Sequence, residues 1–129
     1  MRTVLWDKNG EPILYHTGSG VVYTLANQPV GVLLEPGAGG YREVVDFMGR
    51  HHGWYRDGLM WDCEGYLFAF RKGVSAPLEL PPAKPIRATL KPVPAPGYPL
   101  SLPSPLPQFK PKWSQYDVGS FFGIEKEVK

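Results

Sequence analysis

The sequence predicts an all-β fold: four pseudo-symmetric β-hairpin repeats forming an eight-stranded antiparallel meander, flower- or propeller-like, followed by an extended Pro-rich C-terminal arm. Three observations carry this. Gly 15 and Pro 15 make up nearly a quarter of 129 residues, beside 13% aromatics, a composition of turn-dense β structure rather than of a helical bundle. A strand–turn–strand pattern recurs four times. The prolines are lopsided, with three in residues 1–75 and twelve in residues 76–112.

The repeats superimpose on the turn residues Gly10, Asn27, Gly49 and Gly65, types that tolerate positive φ. Four positions earlier stand Trp6, Tyr23, Val45 and Trp61, and three positions earlier Asp7, Thr24, Asp46 and Asp62. Asn9-Gly10 is the strongest hairpin signal of the set. Second turns at Thr17–Gly20, Glu35–Gly40 and Asp57–Gly58 join the repeats, and Lys72-Gly73 follows the last. The expected strands are therefore about 2–8, 11–16, 21–26, 29–34, 41–47, 50–55, 59–63 and 66–71.

Period-two alternation predicts one face shared by two columns, Ile13, Val30, His52, Phe68 and Tyr15, Val32, Trp54, Phe70. Between them stand Leu14, Gly31, Gly53 and Ala69, mostly small, where another element can approach closely. A lone hairpin cannot bury such a face. Four about an axis can.

Residues 1–75 thus form a hairpin domain, 76–112 the arm and 113–129 an aromatic anchor. Proline fixes φ and removes a donor, so the arm runs as stiff, polyproline-like chain. Leu78, Leu80, Ile86, Leu90, Val93 and Phe109 interleave its prolines, which favours packing over free solvation. Trp113, Phe121 and Phe122 are the expected docking residues. At about 3.1 Å per residue the arm has the reach to exchange between subunits, so self-association or a protein partner through residues 76–129 is the expected use.

The Asp-x-x-Gly turns, and above all Gly49-Arg-His-His-Gly-Trp-Tyr-Arg-Asp-Gly58 leading to Asp62-x-x-Gly65-Tyr66, resemble the bacterial four-fold β-flower proteins. Lys84-Pro85, Lys91-Pro92, Lys110-Pro111 and Trp113-Ser114 match that family's Lys-Pro-rich segment and its Ser-Trp-type terminus. The second repeat departs from the pattern, with Thr24 for Asp and Asn27 for Gly. The resemblance implies a fold and supplies no catalytic residue to carry over.

A net charge of +2 is too weak to imply nucleic acid or an anionic membrane as a partner. The single Cys63 excludes a disulfide framework and a thiolate zinc site; no metal and no cofactor are expected. No apolar run of signal-peptide length stands at the N-terminus, so a cytoplasmic protein is expected.

Among candidate sites, His51 and His52 point to opposite faces and cannot chelate one ion from one strand. His52 reads as a hydrogen-bonded core imidazole. The functional alternative gathers His52, Trp54, Tyr55 and Trp61 around one cleft for a small molecule or glycan. His16, at a strand end, is expected to be exposed. Asp7, Asp46 and Asp62 are expected to cap their own turns. Cys63 stands between Asp62 and Glu64, whose charges make a poor nucleophile, and Gly37–Gly40 lacks the ending of a phosphate loop. Acid–base chemistry by His52 with Asp46 ranks behind these readings, so a non-enzymatic module is expected.

Overall fold

The turn residues dictate the hairpins. In the computed structural model, which describes residues 2–99 and 104–124, Gly10, Asn27, Gly49 and Gly65 adopt φ of 74°, 65°, 82° and 92°. Each aspartate caps its own turn twice. Asp7 Oδ1 accepts from the amides of Asn9 and Glu11 at 2.8 and 3.0 Å. Asp46 Oδ1 accepts from Met48 and Arg50 at 2.9 and 3.0 Å, and Asp62 Oδ1 from Glu64 and Tyr66 at 2.9 Å each. Thr24 Oγ1 takes this place in the second repeat, accepting from Gln28 N at 3.3 Å.

The strands are β1 (Thr3–Trp6), β2 (Pro12–His16), β3 (Val21–Thr24), β4 (Pro29–Leu33), β5 (Arg42–Val45), β6 (His51–Arg56), β7 (Leu59–Asp62) and β8 (Leu67–Arg71). Each pairs antiparallel with the next, and β8 pairs with β1, closing an eight-stranded barrel. Closure leaves no edge strand unpaired. The Gly-rich connector holds one 3-10 turn, Ala38–Gly40, and the described part of the anchor makes one helical turn, α1 (Val118–Phe121), capped by Asp117. No helix of the described residues is long and apolar enough to cross a membrane.

Every hairpin carries one bulge at the same place. Trp6 faces Pro12, Tyr23 faces Pro29, Val45 faces His51 and Trp61 faces Leu67, so the second strand holds an extra residue each time. That residue is Ile13, Val30, His52 or Phe68. A bulge re-aims its side chain, which corrects the expectation that this column shares a face with Tyr15, Val32, Trp54 and Phe70. The latter four lie on the outside of the barrel. Ile13, Val30 and Phe68 join the interior cluster.

That interior takes Leu5, Leu14, Val22, Leu33, Val44, Tyr55, Met60 and Ala69 from the eight strands in turn, and Phe121 and Phe122 complete it. The small column makes room for them. A Cβ on Gly53 would stand 2.8 Å from Phe121 Cζ, and one on Gly31 3.1 Å from Phe122 Cε1. The C-terminal turn is therefore a plug in one end of the barrel.

The arm forms an outer layer on its own barrel. Leu78, Leu80, Phe109 and Trp113 cover Trp6, Trp54, Trp61 and Phe70, while Leu90 and Ala95 cover Tyr15, Tyr23 and Val45. Its Lys-Pro pairs are where it is stitched to the hairpin turns. Lys84 N donates to Gly10 O and Lys110 N to Gly65 O, both at 2.9 Å. Two residues upstream of each lysine, Pro82 O and Gln108 O lie 2.2 Å from where a Cβ on Gly10 or Gly65 would sit. At the second turn Asn27 performs the same task with its side chain: Oδ1 accepts from Lys91 N at 2.8 Å, and Nδ2 donates to Thr89 O at 3.0 Å. The departure from glycine is thus compensated within the contact. Residues 100–103 and 125–129 of the arm and anchor lie outside the described residues.

Candidate functional site

The four residues expected around one cleft occupy three places. His52 sits at the plugged end, its ring 6.3 and 5.7 Å from those of Phe121 and Phe122. Its Nε2 donates to Asp46 Oδ2 at 2.8 Å, and Arg50 Nε donates to the same oxygen at 2.7 Å. Burial alone would raise the Asp46 carboxyl, but hydrogen bonds from His52, Arg50 and Met48 outweigh it and hold the group below its usual range.

Tyr55 points into the opposite mouth of the barrel. Its hydroxyl lies 2.9 Å from His16 Nε2, while His16 Nδ1 lies 3.2 Å from Thr17 O. A carbonyl can only accept, so the neutral ring carries its proton on Nδ1 and Tyr55 donates to Nε2. His16 is therefore half-buried and inward rather than exposed, a correction that follows from its sharing a face with Leu14. Burial, then the charges of Arg42 and Arg71, push its pKa down.

Only Trp54 and Trp61 stand together, as facing residues of β6 and β7 on the outer surface. Beside Trp54, barrel and arm leave a cavity of about 270 Å³ lined by Glu35, Tyr41, Glu43, Trp54, Ser104 and Leu106 among others. Glu43 faces Trp54 across β5 and β6, and the His51 ring lies 4.8 Å from the Trp54 ring. His51 Nε2 is 3.8 Å from Glu43 Oε1, too far for a hydrogen bond. Glu43 Oε1, His51 Nε2 and Trp54 Nε1 are all buried without a hydrogen-bond partner. Burial raises the Glu43 carboxyl, with Ser104 opposing; burial, then His52, lowers His51. Burial thus disfavours the charged form of each group, and the two face each other at 3.8 Å without a hydrogen bond. Glu43 and His51 were the residues missed as a pair. The signal for them was a carboxylate facing a tryptophan, visible only once β5 and β6 are set in register.

The remaining candidates serve the fold. Phe121 and Phe122 are buried in the interior, and Trp113 lies half-buried on the outside, its ring 6.1 Å from that of Phe70. Ser114, singled out in the sequence only as the neighbour of Trp113, donates to Asp62 Oδ2 at 2.7 Å. Desolvation, then the charges of Asp62 and Glu64, push the Cys63 thiol up. Among the described residues no group of three or more His, Cys, Asp and Glu side chains is arranged to hold a metal ion.

A family model described as 4-fold beta flower protein matches residues 3–122, which takes in the hairpins, the arm and the plug. Comparison with curated proteins and with solved structures gave no match.

Proposed function

The chain belongs to the 4-fold beta flower family, and we propose that it works as a non-enzymatic interaction module whose barrel is a rigid mount for a protein-contacting arm. One observation carries this. Among the described residues seven large hydrophobics are exposed, and six of them lie on the arm and anchor: Ile86, Val93, Tyr98, Leu106, Tyr116 and Ile124, with Met48 alone on the barrel. The stitches fix the arm's inner edge, so its outer edge meets a partner already ordered, which lowers the entropic cost of association. The non-enzymatic part is supported by the residues best suited to acid–base work. Asp46 already takes four hydrogen bonds, from Met48 N, Arg50 N, Arg50 Nε and His52.

A second copy of the chain is the partner tested directly. Light scattering across a concentration series should find the full chain associating, and Val93→Ser with Tyr98→Ser should leave it monomeric. A full chain that stays monomeric at every concentration removes self-association. A double variant that associates like its parent removes the arm's outer edge as the contact.

A further inference from the structure

The seam cavity between barrel and arm carries chemistry that the arm's outer edge does not use. Its wall holds Trp54, 4% exposed, whose indole N–H lacks an acceptor, and Glu43, whose Oε1 lacks a donor. An indole nitrogen can only donate, and an ionised carboxylate can only accept. A ligand that meets both must offer a donor to one and an acceptor to the other.

Charge narrows the class. Glu35 and Glu43 both line the cavity, and no Lys or Arg is among the described residues of its wall. The nearby Arg56 is turned elsewhere, over the Tyr41 ring at 5.2 Å and beside Asp57 Oδ2 at 3.2 Å. An anion would meet two carboxylates. A neutral polyol would fill the hydrogen bonds but bring no counter-charge to the half-buried Glu43, which has only hydrogen bonds from Ser104 beside it. A cation supplies Glu43 with both a hydrogen-bond donor and a counter-charge. Size limits it further: about 270 Å³ is room for roughly nine water volumes at about 30 Å³ each, so the ligand is small.

We propose that this cavity binds a small protonated amine bearing a hydroxyl or ether oxygen a few bonds away, the ammonium on Glu43 and the oxygen accepting from Trp54 Nε1. Ser104 and Leu106 make the arm its outer wall, so the site exists only with the arm in place. It is independent of the arm-contact reading, because a monomeric chain would hold it equally well.

The test follows the four tryptophan indole resonances of the ¹⁵N-labelled full chain, with the Trp54 signal assigned through Trp54→Phe. Ethanolammonium chloride at constant ionic strength should shift the Trp54 indole saturably. Ethylammonium, lacking the oxygen, should bind more weakly, and acetate should leave the signal in place. Glu43→Gln should weaken ethanolammonium binding at least tenfold, while Glu79→Gln, on an exposed part of the arm, should not. The uncharged ethylene glycol keeps the test decisive if Glu43→Gln fails to fold, because on the parent chain it must bind less tightly than ethanolammonium. No saturable shift up to about 100 mM, a range weaker than any useful site, overturns the proposal. So does glycol or acetate binding equal to that of ethanolammonium, or a folded Glu43→Gln variant that binds as the parent does.

Discussion

Replacing Phe121 with alanine asks whether the C-terminal turn belongs to the core or rests against it. Phe121 is 3% exposed and stacks on Phe68 with ring centroids 4.1 Å apart. Truncating a buried phenylalanine costs about 3–5 kcal/mol, more where the surroundings cannot collapse. Here they cannot, because the facing residue is Gly53 and the strands behind it are hydrogen-bonded on both sides. For a chain of 129 residues the unfolding entropy is about 0.27 kcal/mol/K, so the midpoint should fall by roughly 10–20 °C. Differential scanning calorimetry measures this, and a single transition is expected. Trp113→Ala, which truncates a half-buried ring on the outer surface, should cost less than Phe121→Ala. A drop of less than about 4 °C, near 1 kcal/mol by the same conversion, would refute the plug. A separate barrel transition left at the parent temperature would refute it too.

Ser114→Ala removes the hydroxyl that donates to Asp62 Oδ2, and with Ser114 3% and Asp62 1% exposed water cannot replace it. The loss should be about 1.5–3 kcal/mol in urea unfolding. It should shrink by at least half in an Asp62→Asn background, whereas equal costs in both backgrounds would count against the bond. Acid should destabilise the fold early. His16 and His51 have pKa values below the ordinary 6.5 when folded, so below about pH 6.5 the unfolded chain binds more protons. Their contribution is complete above that pH and is lost as pH falls through the folded values, at up to about 1.4 kcal/mol per pH unit for each. Glu43, raised by burial, works in the opposite sense at lower pH, so Glu43→Gln should steepen the fall. A flat stability profile between pH 7 and 5 would contradict both histidine placements.

Turn chemistry is local, and for that reason the sequence reading placed all eight strands to within about two residues and all four positive-φ turn positions. The aspartate caps and the close approach at Gly31 and Gly53 were legible on the same ground. The faces were not. Period-two counting assumes one residue opposite one, and the bulges at Ile13, Val30, His52 and Phe68 break that count four times over. A bulge is a property of two paired strands, and no single strand announces it. His16 was misplaced because its inward direction depends on which face closes the barrel. The cleft of His52, Trp54, Tyr55 and Trp61 dissolved for both reasons together: a bulge residue, two outward residues and an inward one cannot meet.

The proline content then has a physical account. A closed barrel uses its backbone donors and acceptors in its own ladder, yet this one leaves Trp6, Tyr15, Tyr23, Trp54, Trp61 and Phe70 on its outer surface. A layer laid over those rings finds few backbone partners beneath it, and every amide it brings must be satisfied or left in water. Proline brings none. It also arrives with φ already fixed, so ordering the arm sacrifices less backbone entropy than ordering an ordinary chain. The residue before a proline is biased towards extended conformation, which suits Lys84, Lys91 and Lys110 to cross a hairpin turn straight, each donating its amide to the turn residue. Glycine at Gly10 and Gly65 is therefore required twice over, by positive φ and by an arm carbonyl where a Cβ would be. Asn27 meets the first demand less easily and answers the second with its own amide. Three of the four hairpin turns and the three Lys-Pro pairs form one recognition system, written in two halves of the chain.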